Sequence, residues 1–288
     1  MDRYDKFFKR VDLVQNQVAR ENLAEEKKSK LKKKRIQQQN AQRFAEYQQI
    51  LQAELEARIF ANISSTGGAQ PSFSFGNALQ FDGANDFLNF TTINFDELCY
   101  SFWIKSTGDD SSFGYITSTP ASEGVGSSRG GIRFDEGFGT YGQLAYFNGS
   151  AVATLGTIGT PTNWNHVLVY TKASTNVIKC WINGSSTLDT TFTGLKTKVG
   201  IIGNLYFTSN YFYGTFDEFA IASHTATTQD ALDLYNSGNG VLATDVLTDV
   251  KAYWRFNESS GASTAVDEQG SYDATLNNFN TSTCWVAH

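Results

Sequence analysis

Glycine, proline and tryptophan are absent from residues 1–62, although the chain of 288 residues contains 25 glycines, 3 prolines and 5 tryptophans. Their absence argues against the closely spaced turns of a β-domain in this segment. The segment is rich in Lys, Glu, Gln, Ala, Leu and Arg, a composition that favours helix. We therefore predict a helical arm at residues 1–62 and a globular head in the glycine-rich remainder.

Cysteine is also scarce, and the three residues of this type are Cys99, Cys180 and Cys284. An odd and sparse number of cysteines does not build a disulfide framework, so buried free thiols are predicted. A bridge between Cys99 and Cys180 is the less favoured alternative, because sequence spacing alone cannot support one.

Long apolar stretches are missing as well. No segment is apolar over the length of a membrane span, and the N-terminus lacks the apolar core of a signal peptide. We therefore expect a protein that is made in a cytoplasm, is not inserted into a membrane and is not exported by the ordinary route.

Charge is distributed unevenly along the chain. Residues 1–62 carry 14 Lys and Arg against 9 Asp and Glu, whereas the remaining residues carry 9 against 20. Residues 27–35 hold seven of the positive charges, and such a run is a solvated helix face or binds an acidic protein or nucleic acid. Nucleic acid is the less favoured partner, because the run has no interleaved aromatic residues and the acidic head would repel phosphates.

Apolar residues in the arm follow the spacing of a coiled coil in two places. Phe7, Val11, Val14 and Val18 are spaced by four, three and four positions, and the pattern restarts at residues 44–51. Polar residues between these places leave two helices or one frayed helix open. A lone polar helix is marginal in water, so we expect self-association, with a trimer favoured, or insertion into a larger assembly.

Turn residues and strand-like runs alternate after the arm. Residues 63–75 combine Ser, Thr, Gly and Pro and are predicted to be a flexible linker. Many short strand-like runs follow in residues 76–288, which predicts a mainly β sandwich or barrel. The predicted strands are 78–81, 86–90, 98–105, 113–118, 130–135, 142–148, 164–172, 176–183, 199–203, 212–222 and 250–257.

Short local signals predict the turns and a single helix in the head. The dipeptides Asp82-Gly83, Asn148-Gly149 and Asn183-Gly184 are typical of hairpin turns. Thr227 is predicted to cap a short helix, with Asp230 completing a variant of the capping box. A lone helix late in a β-domain is expected to cover an open end of the sandwich.

Two acidic residues, Asp217 and Glu218, interrupt the most apolar strand pattern, at residues 212–222. If this strand lies in the core, the carboxylates must be hydrogen-bonded or must sit at its edge. They are either a catalytic or metal-binding pair or, as we prefer, a structural pair that ties down a neighbouring loop.

Seven motifs of the head occur in the order of one known family. They are Leu79-Gln80-Phe81-Asp82-Gly83-Ala84-Asn85-Asp86-Phe87-Leu88, Tyr100-Ser101-Phe102-Trp103-Ile104-Lys105, Trp164-Asn165-His166-Val167, Cys180-Trp181-Ile182-Asn183-Gly184, Tyr213-Gly214-Thr215-Phe216-Asp217-Glu218-Phe219-Ala220-Ile221, Leu234-Tyr235-Asn236-Ser237-Gly238 and Ala252-Tyr253-Trp254-Arg255-Phe256-Asn257-Glu258 with Gly261. On these motifs, residues 76–287 resemble the laminin-G-like, concanavalin-A-like jelly-roll family. The resemblance implies an antiparallel jelly-roll β-sandwich with one short helix.

The same resemblance implies adhesion or carbohydrate binding more than a reaction, because most members of the family are binding modules and some hold calcium. No cofactor is required on this view. If calcium binds, the nearest oxygen-rich cluster is Asp82, Asn85 and Asp86. The preferred alternative is that Asp82 and Asp86 cap turns.

Aromatic residues divide into two predicted groups. Trp103, Trp181 and Trp254 lie inside strand patterns and are predicted to fill the core. Sugar binding needs surface aromatics instead, and those in or beside Gly- and Ser-rich loops are the candidates. These candidates are Tyr115, Phe138, Tyr141, Tyr206, Tyr211 and Tyr213.

Signatures of catalysis are lacking. Glucanases of this fold need acids in E-x-D-x-E spacing, but no acid lies two residues beyond Asp217-Glu218. His166, His224 and His288 do not have metal-ligand spacing, and there is neither a nucleophile elbow nor a phosphate loop. We therefore predict a protein that is not an enzyme.

An adhesion-like head, a helical arm and no export signal are together typical of a bacteriophage virion protein. We expect a fibre, spike or capsid decoration whose arm docks to other virion proteins and whose head faces a host surface polysaccharide. It would be made in the host cytoplasm and become part of the virion. The alternatives are a cellular carbohydrate-binding or adhesion protein exported by a non-classical route and, less favoured, a glycan-cleaving enzyme.

Overall fold

The computed structural model describes residues 75–106, 113–120, 122, 129–135, 141–205 and 210–288. The predicted arm and all but the last residue of the predicted linker lie outside these ranges. The strands are β1 Asn77–Asp82, β2 Phe87–Asn94, β3 Glu97–Ser106, β4 Phe113–Tyr115, β5 Thr117–Ser118, β6 Gly131–Asp135, β7 Gln143–Phe147, β8 Val152–Thr157, β9 Asn165–Lys172, β10 Val177–Ile182, β11 Ser185–Thr191, β12 Lys198–Ile202, β13 Tyr213–Ala222, β14 Val250–Trp254, β15 Thr264–Ala265, β16 Ala274–Asn277 and β17 Trp285–Ala287. The α-helices are α1 Thr228–Tyr235 and α2 Ala243–Val246.

The strands form three antiparallel sheets arranged as a sandwich. The large sheet has the order β11-β10-β9-β3-β13-β1-β17, and β14 also pairs with β13. The second sheet has the order β15-β16-β2-β12-β5, and the third has the order β4-β6-β7-β8. Backbone bonds from Ile116 N to Ile132 O and from Thr119 N to Gly130 O join these two sheets along one side. The predicted antiparallel β-sandwich is therefore confirmed.

The main core lies between the large sheet and the two smaller ones, with β13 at its centre. Phe216 and Phe219 of β13 have no exposed surface, and Phe219 stacks on Phe102 of β3 with ring centroids 4.9 Å apart. Trp254 of β14 is also fully buried in this core. Burial of these aromatic rings stabilises the sandwich.

The predicted helix is confirmed, but its expected position is wrong. The Thr227 hydroxyl accepts a bond from Asp230 N, and the Asp230 carboxylate accepts one from Thr227 N, which completes the capping box. Helix α1 packs on the outer face of the large sheet, where Leu234 joins Leu168 and Trp181 in a second apolar cluster. The sheet carries apolar side chains on both faces, so its outer face needs this cover more than the end of the sandwich does.

Two of the three predicted hairpin turns are confirmed. Asn183 and Gly184 have φ of 51° and 76° and join β10 to β11, as the turn type requires. Asn148-Gly149 joins β7 to β8. Asp82-Gly83 is not a hairpin turn, because it leads from β1 in the large sheet to β2 in the second sheet. Gly83 still needs its positive φ of 75° to make this crossing.

All three cysteines are buried free thiols, as predicted. Cys180 lies in the main core, whereas Cys99 lies in the outer cluster under α1. The large sheet therefore separates these two thiols, which excludes the alternative bridge between them. Burial raises the pKa of the Cys180 thiol to about 12, so this sulfur is unreactive.

Among the described residues, no helix combines the length and the apolar composition needed to cross a membrane.

Candidate functional site

Several loops leave the sandwich at one end. The last residue of β1 pairs with the first of β13, and the last of β3 pairs with the second of β13. The beginning of β2 lies beside the end of β12, and the beginning of β4 lies beside the end of β6. The described strand ends that border the β1–β2, β3–β4, β6–β7 and β12–β13 connections therefore lie at this end, which we call the loop end.

The four aromatic candidates that the structure describes lie at or near the loop end, but their exposure differs. Tyr141, Tyr211 and Tyr213 are half-buried, and Tyr206 and Phe138 lie outside the described residues. Tyr141 donates a hydrogen bond from its Oη to Ser106 Oγ at 3.1 Å. Tyr213 lies against the turn at Gly83. A Cβ atom added at Gly83 would lie 2.9 Å from the Cβ atom of Tyr213.

Tyr115 is only 2 % exposed, so its ring is not open for stacking on a sugar in this structure. Its hydroxyl is hydrogen-bonded to Arg133, and Arg129 lies close enough to act on it electrostatically. Burial nevertheless raises the pKa of Tyr115 to about 12. The sequence pattern could not distinguish a covered ring from an open one.

A polar cleft of about 340 Å³ opens on the large sheet near the loop end. Lys105, Thr215 and Gln80 are cross-strand neighbours on β3, β13 and β1 and form its floor. The Lys105 ammonium lies 6.0 Å from the centre of the Trp164 ring. The cleft is lined by Gln80, Lys105, Ser106, Thr162, Thr215, Val286 and Ala287.

A column of stacked rings borders this cleft. The His288 ring lies between Phe75 and Trp164, with centroid distances of 3.6 Å and 4.0 Å and nearly parallel planes. His288 Nδ1 is 2.6 Å from Asp217 Oδ2. Burial raises the pKa of Asp217 to about 8 and lowers the pKa of His288 to about 4. The neutral forms of both groups are therefore favoured, with one proton held between them.

The side chains of Asp217 and Glu218 both form hydrogen bonds with other residues of the domain. Glu218 sits in a bulge between β13 and β3 with φ of 50°, a conformation rare for a side chain of this size. Its carboxylate accepts bonds from the Tyr253 hydroxyl and from Arg255 Nε, the latter at 3.1 Å. These contacts agree with the preferred interpretation that the pair ties neighbouring segments to β13.

The predicted calcium cluster is organised as a turn. Asp82 Oδ1 accepts bonds from the backbone N–H groups of Ala84 and Asn85, at 2.8 Å and 3.3 Å. Asp86 Oδ2 accepts a bond from Asp82 N at 3.0 Å. Both acids therefore cap the turn, as the alternative interpretation expects. Asp86 Oδ1 is buried and has no hydrogen-bond partner, and burial raises the pKa of this carboxyl to about 6.

Sequence reasoning missed Asn204, which follows the end of β12 at the same end of the sandwich. Its side chain has no exposed surface, and neither its amide oxygen nor its amide nitrogen has a partner. No group of three His, Cys, Asp or Glu side chains in the described part of the chain is placed to hold a metal. A metal here would therefore need asparagine or backbone oxygens.

A family comparison agrees with this architecture. Residues 65–232 match the Laminin_G_3 family, which is described as the concanavalin A-like lectin/glucanases superfamily. The chain belongs to this family. A search of curated protein sequences gives no match.

Solved structures share the same fold at low sequence identity. A Bacteroides ovatus protein, provisionally assigned as a carbohydrate-binding protein, is 17% identical with a TM-score of 0.55, over 72% of this chain and 59% of that one. The chain thus spans 59% of the length of this first relative, and the likeness shows the fold alone.

Two further structures are more distant. A heptameric SAP-like pentraxin from Limulus polyphemus is 15% identical, over 73% of this chain and 98% of that one, with a TM-score of 0.46. Domain 4 of a GH43 extracellular arabinanase from Geobacillus stearothermophilus, solved with arabinotriose, is 18% identical, over 58% of this chain and 81% of that one, with a TM-score of 0.42.

Proposed function

We propose that residues 75–288 form a carbohydrate-binding domain that holds a polysaccharide segment at the loop end. The observation that carries this proposal is the polar cleft on the large sheet, with Lys105 on its floor and the Trp164 ring nearby. Membership of the lectin and glucanase superfamily supports it. The cleft is open, so it can hold an internal part of a polymer.

The groups in the cleft match the chemistry of sugar hydroxyls, which both donate and accept hydrogen bonds. Thr162 offers an exposed hydroxyl group, Gln80 offers an amide, and Lys105 offers up to three donors, whereas Ser106 and Thr215 are buried beneath them. Val286 adds apolar surface for the C–H groups of a sugar ring. A few placed polar groups beside apolar surface are the usual composition of a ligand site.

Binding without cleavage is favoured over hydrolysis. Glycoside hydrolysis needs two carboxyl groups on either side of the scissile bond. The described residues that line the cleft include no Asp or Glu, and the buried Asp217 and Glu218 are occupied by His288 and Arg255. A glycan-cleaving enzyme would be supported instead by polysaccharide turnover that disappears in Glu218→Gln.

The test is binding of the full chain to a panel of neutral and acidic surface polysaccharides, followed by variants of the cleft. We expect Lys105→Gln to weaken binding about tenfold or more, because it removes a charged hydrogen-bond donor. Lys179→Gln makes the same change on β10, outside the cleft, and should bind like the wild type. Equal affinity of Lys105→Gln and wild type would place the ligand elsewhere, and no binding of the wild type to any glycan would reject the function.

We further propose, from the composition of residues 1–62, that the arm attaches the protein to a virion and presents the domain to a host surface. A cell's own adhesion protein, exported by a non-classical route, is the alternative. Mass spectrometry of gradient-purified particles from the producing cells distinguishes the two. Stoichiometric co-sedimentation with particles is the expected result, and recovery only from the cell surface would favour the alternative.

A further inference from the structure

Asparagine is followed by glycine at three places in the chain, which are Asn148-Gly149, Asn183-Gly184 and Asn239-Gly240. In such a pair the backbone nitrogen of the glycine can attack the side-chain amide carbon of the asparagine. Glycine favours this attack, because it has no Cβ to shield its nitrogen and its backbone turns freely. The asparagine amide must also be free to leave its own contacts, so the fold determines which of the three pairs can react.

The Asn148 side chain is held at both ends of its amide group. Its Oδ1 atom accepts hydrogen bonds from Ser150 N and Ala151 N, at 2.9 Å and 2.7 Å. Its Nδ2 atom donates a hydrogen bond to Thr193 O at 2.8 Å. The amide must leave these contacts before it can swing toward the nitrogen of Gly149, so the fold protects this pair.

The Asn183 amide is held at both ends as well. Its Oδ1 atom accepts a hydrogen bond from His166 N at 2.9 Å, and its Nδ2 atom donates one to Asn165 Oδ1 at 2.8 Å. Both partners lie at the start of β9, far from Asn183 in sequence. The amide can therefore move only if the contact between β9 and the turn after β10 is broken, and this pair is protected too.

The Asn239 side chain is exposed and is held at one end only. Its Nδ2 atom donates a hydrogen bond to Asn236 O at 3.0 Å, whereas its Oδ1 atom accepts none from any described residue. The attacking atom, Gly240 N, donates one hydrogen bond, to Tyr235 O at 3.3 Å, which is longer than a typical bond of this kind. Gly240 itself is buried, so the reaction takes place when this segment opens.

Residues 236–240 can open without disturbing the sheets. They follow α1, and the described hydrogen bonds of Asn239 and Gly240 all end within residues 235–240. Four of these five residues have positive φ, between 44° and 91°, and two of the four are Asn236 and Ser237, for which this conformation is unfavourable. Local opening therefore costs less free energy here than at the other two pairs.

We propose that Asn239-Gly240 is the pair at which the folded protein deamidates spontaneously. Gly240 N forms a bond to Asn239 Cγ, and the bond from Cγ to Nδ2 breaks. The proton of Gly240 N passes through water to Nδ2, which leaves as ammonia, and a succinimide ring remains. Water then opens this ring to aspartate or to isoaspartate, in which the main chain runs through the side-chain carbon. Water is the only co-reactant.

Deamidation should weaken the C-terminal end of α1. Either product places a new carboxylate beside the end of the helix that carries partial negative charge, which is unfavourable. Isoaspartate also lengthens the main chain of the turn and moves Gly240 N away from Tyr235 O. We expect Tm to fall by about 1–3 °C when conversion is complete.

The test is incubation of the full chain in mildly alkaline buffer, followed by peptide mapping with mass spectrometry and by enzymatic methylation of isoaspartate. In the folded protein, Asn239 should convert about tenfold or more faster than Asn148 and Asn183, because fewer hydrogen bonds oppose the reaction. In urea the three pairs should convert at similar rates. Equal or slower conversion of Asn239 in the folded protein would overturn the proposal, and so would an equally large difference in urea.

Two variants assign the loss of stability to this residue. Asn239→Gln keeps an amide, but the attack would have to close a larger and less favourable ring, so this variant should keep its Tm through the incubation. Asn148→Gln makes the matched change at a protected pair, and its Tm should fall on incubation by as much as that of the wild type. The same fall in Asn239→Gln as in the wild type would contradict the expected effect on α1.

Discussion

Buried carboxyl groups are the most unusual single residues of this domain. Asp86, Asp217 and Glu218 are each at most 4 % exposed, and burial raises their pKa values to about 6, 8 and 7. The folded protein therefore keeps protons that the unfolded chain releases near pH 4. The stabilising contribution of these carboxyl groups is complete below that pH and is lost as the pH rises through their pKa values in the folded protein.

The pKa shift of His288 changes stability with pH in the opposite direction, but only at lower pH. Burial lowers its pKa from 6.5 to about 4, so its contribution to stability is present above pH 6.5 and is lost as the pH falls toward 4. Of these four buried groups, only the three carboxyl groups therefore make the stability depend on pH above pH 6.5. Asp217 should dominate there, because its pKa is raised the most of the three.

We predict that the free energy of unfolding falls by about 1 kcal/mol per pH unit between pH 6.5 and pH 8. Asp217→Asn should remove most of this slope, because an amide at this position does not titrate and can still contact His288. Urea unfolding in chelator at constant ionic strength measures the effect. Asp189→Asn is the matched control on an exposed acid, and an unchanged slope in Asp217→Asn would contradict the assignment.

At the scale of elements, α1 depends on its first turn. The helix has eight residues, and Thr227 and Asp230 satisfy each other's backbone N–H groups at its start. A helix this short is not stable alone. Its stability comes from the cap and from the packing of Ala231 and Leu234 on the large sheet.

We predict that Thr227→Ala lowers the free energy of unfolding by about 1 kcal/mol, because it leaves a backbone N–H of the first turn without its acceptor. Thermal unfolding should show a Tm lower by about 2–4 °C. Thr227→Ser keeps the hydroxyl and should retain most of the stability. Equal Tm values for Thr227→Ala and wild type would mean that packing alone holds the helix.

Elements with strong local signals were predictable, and elements that depend on their neighbours were not. The Asn183-Gly184 turn and the Thr227 cap form from contacts that are close in sequence. Strand β11, in contrast, has six of its seven residues exposed and carries no alternation of apolar and polar residues. It forms because the turn folds it back onto β10. Strand β8 and the short strands β15 to β17 were also not predicted.

At the scale of the whole molecule, the sequence predicts the fold but not the cleft on the large sheet. Motif order predicts the sandwich, and the candidate tyrosines that the structure describes lie in loops or at strand ends near one end of it. Lys105 and Asn204 were missed because their significance depends on distant residues. Lys105 is a routine outward-facing strand residue until β1, β13 and β17 surround it, and Asn204 is an ordinary loop residue until burial removes its partners.

The ring column also fixes where the described domain can be joined to other polypeptides. Phe75 stacks on His288, and His288 N donates a hydrogen bond to Gly76 O. The two attachment points of residues 75–288 are therefore side by side at one sheet edge. A protein engineer can graft this unit into a surface loop of an unrelated host protein without spreading the loop apart.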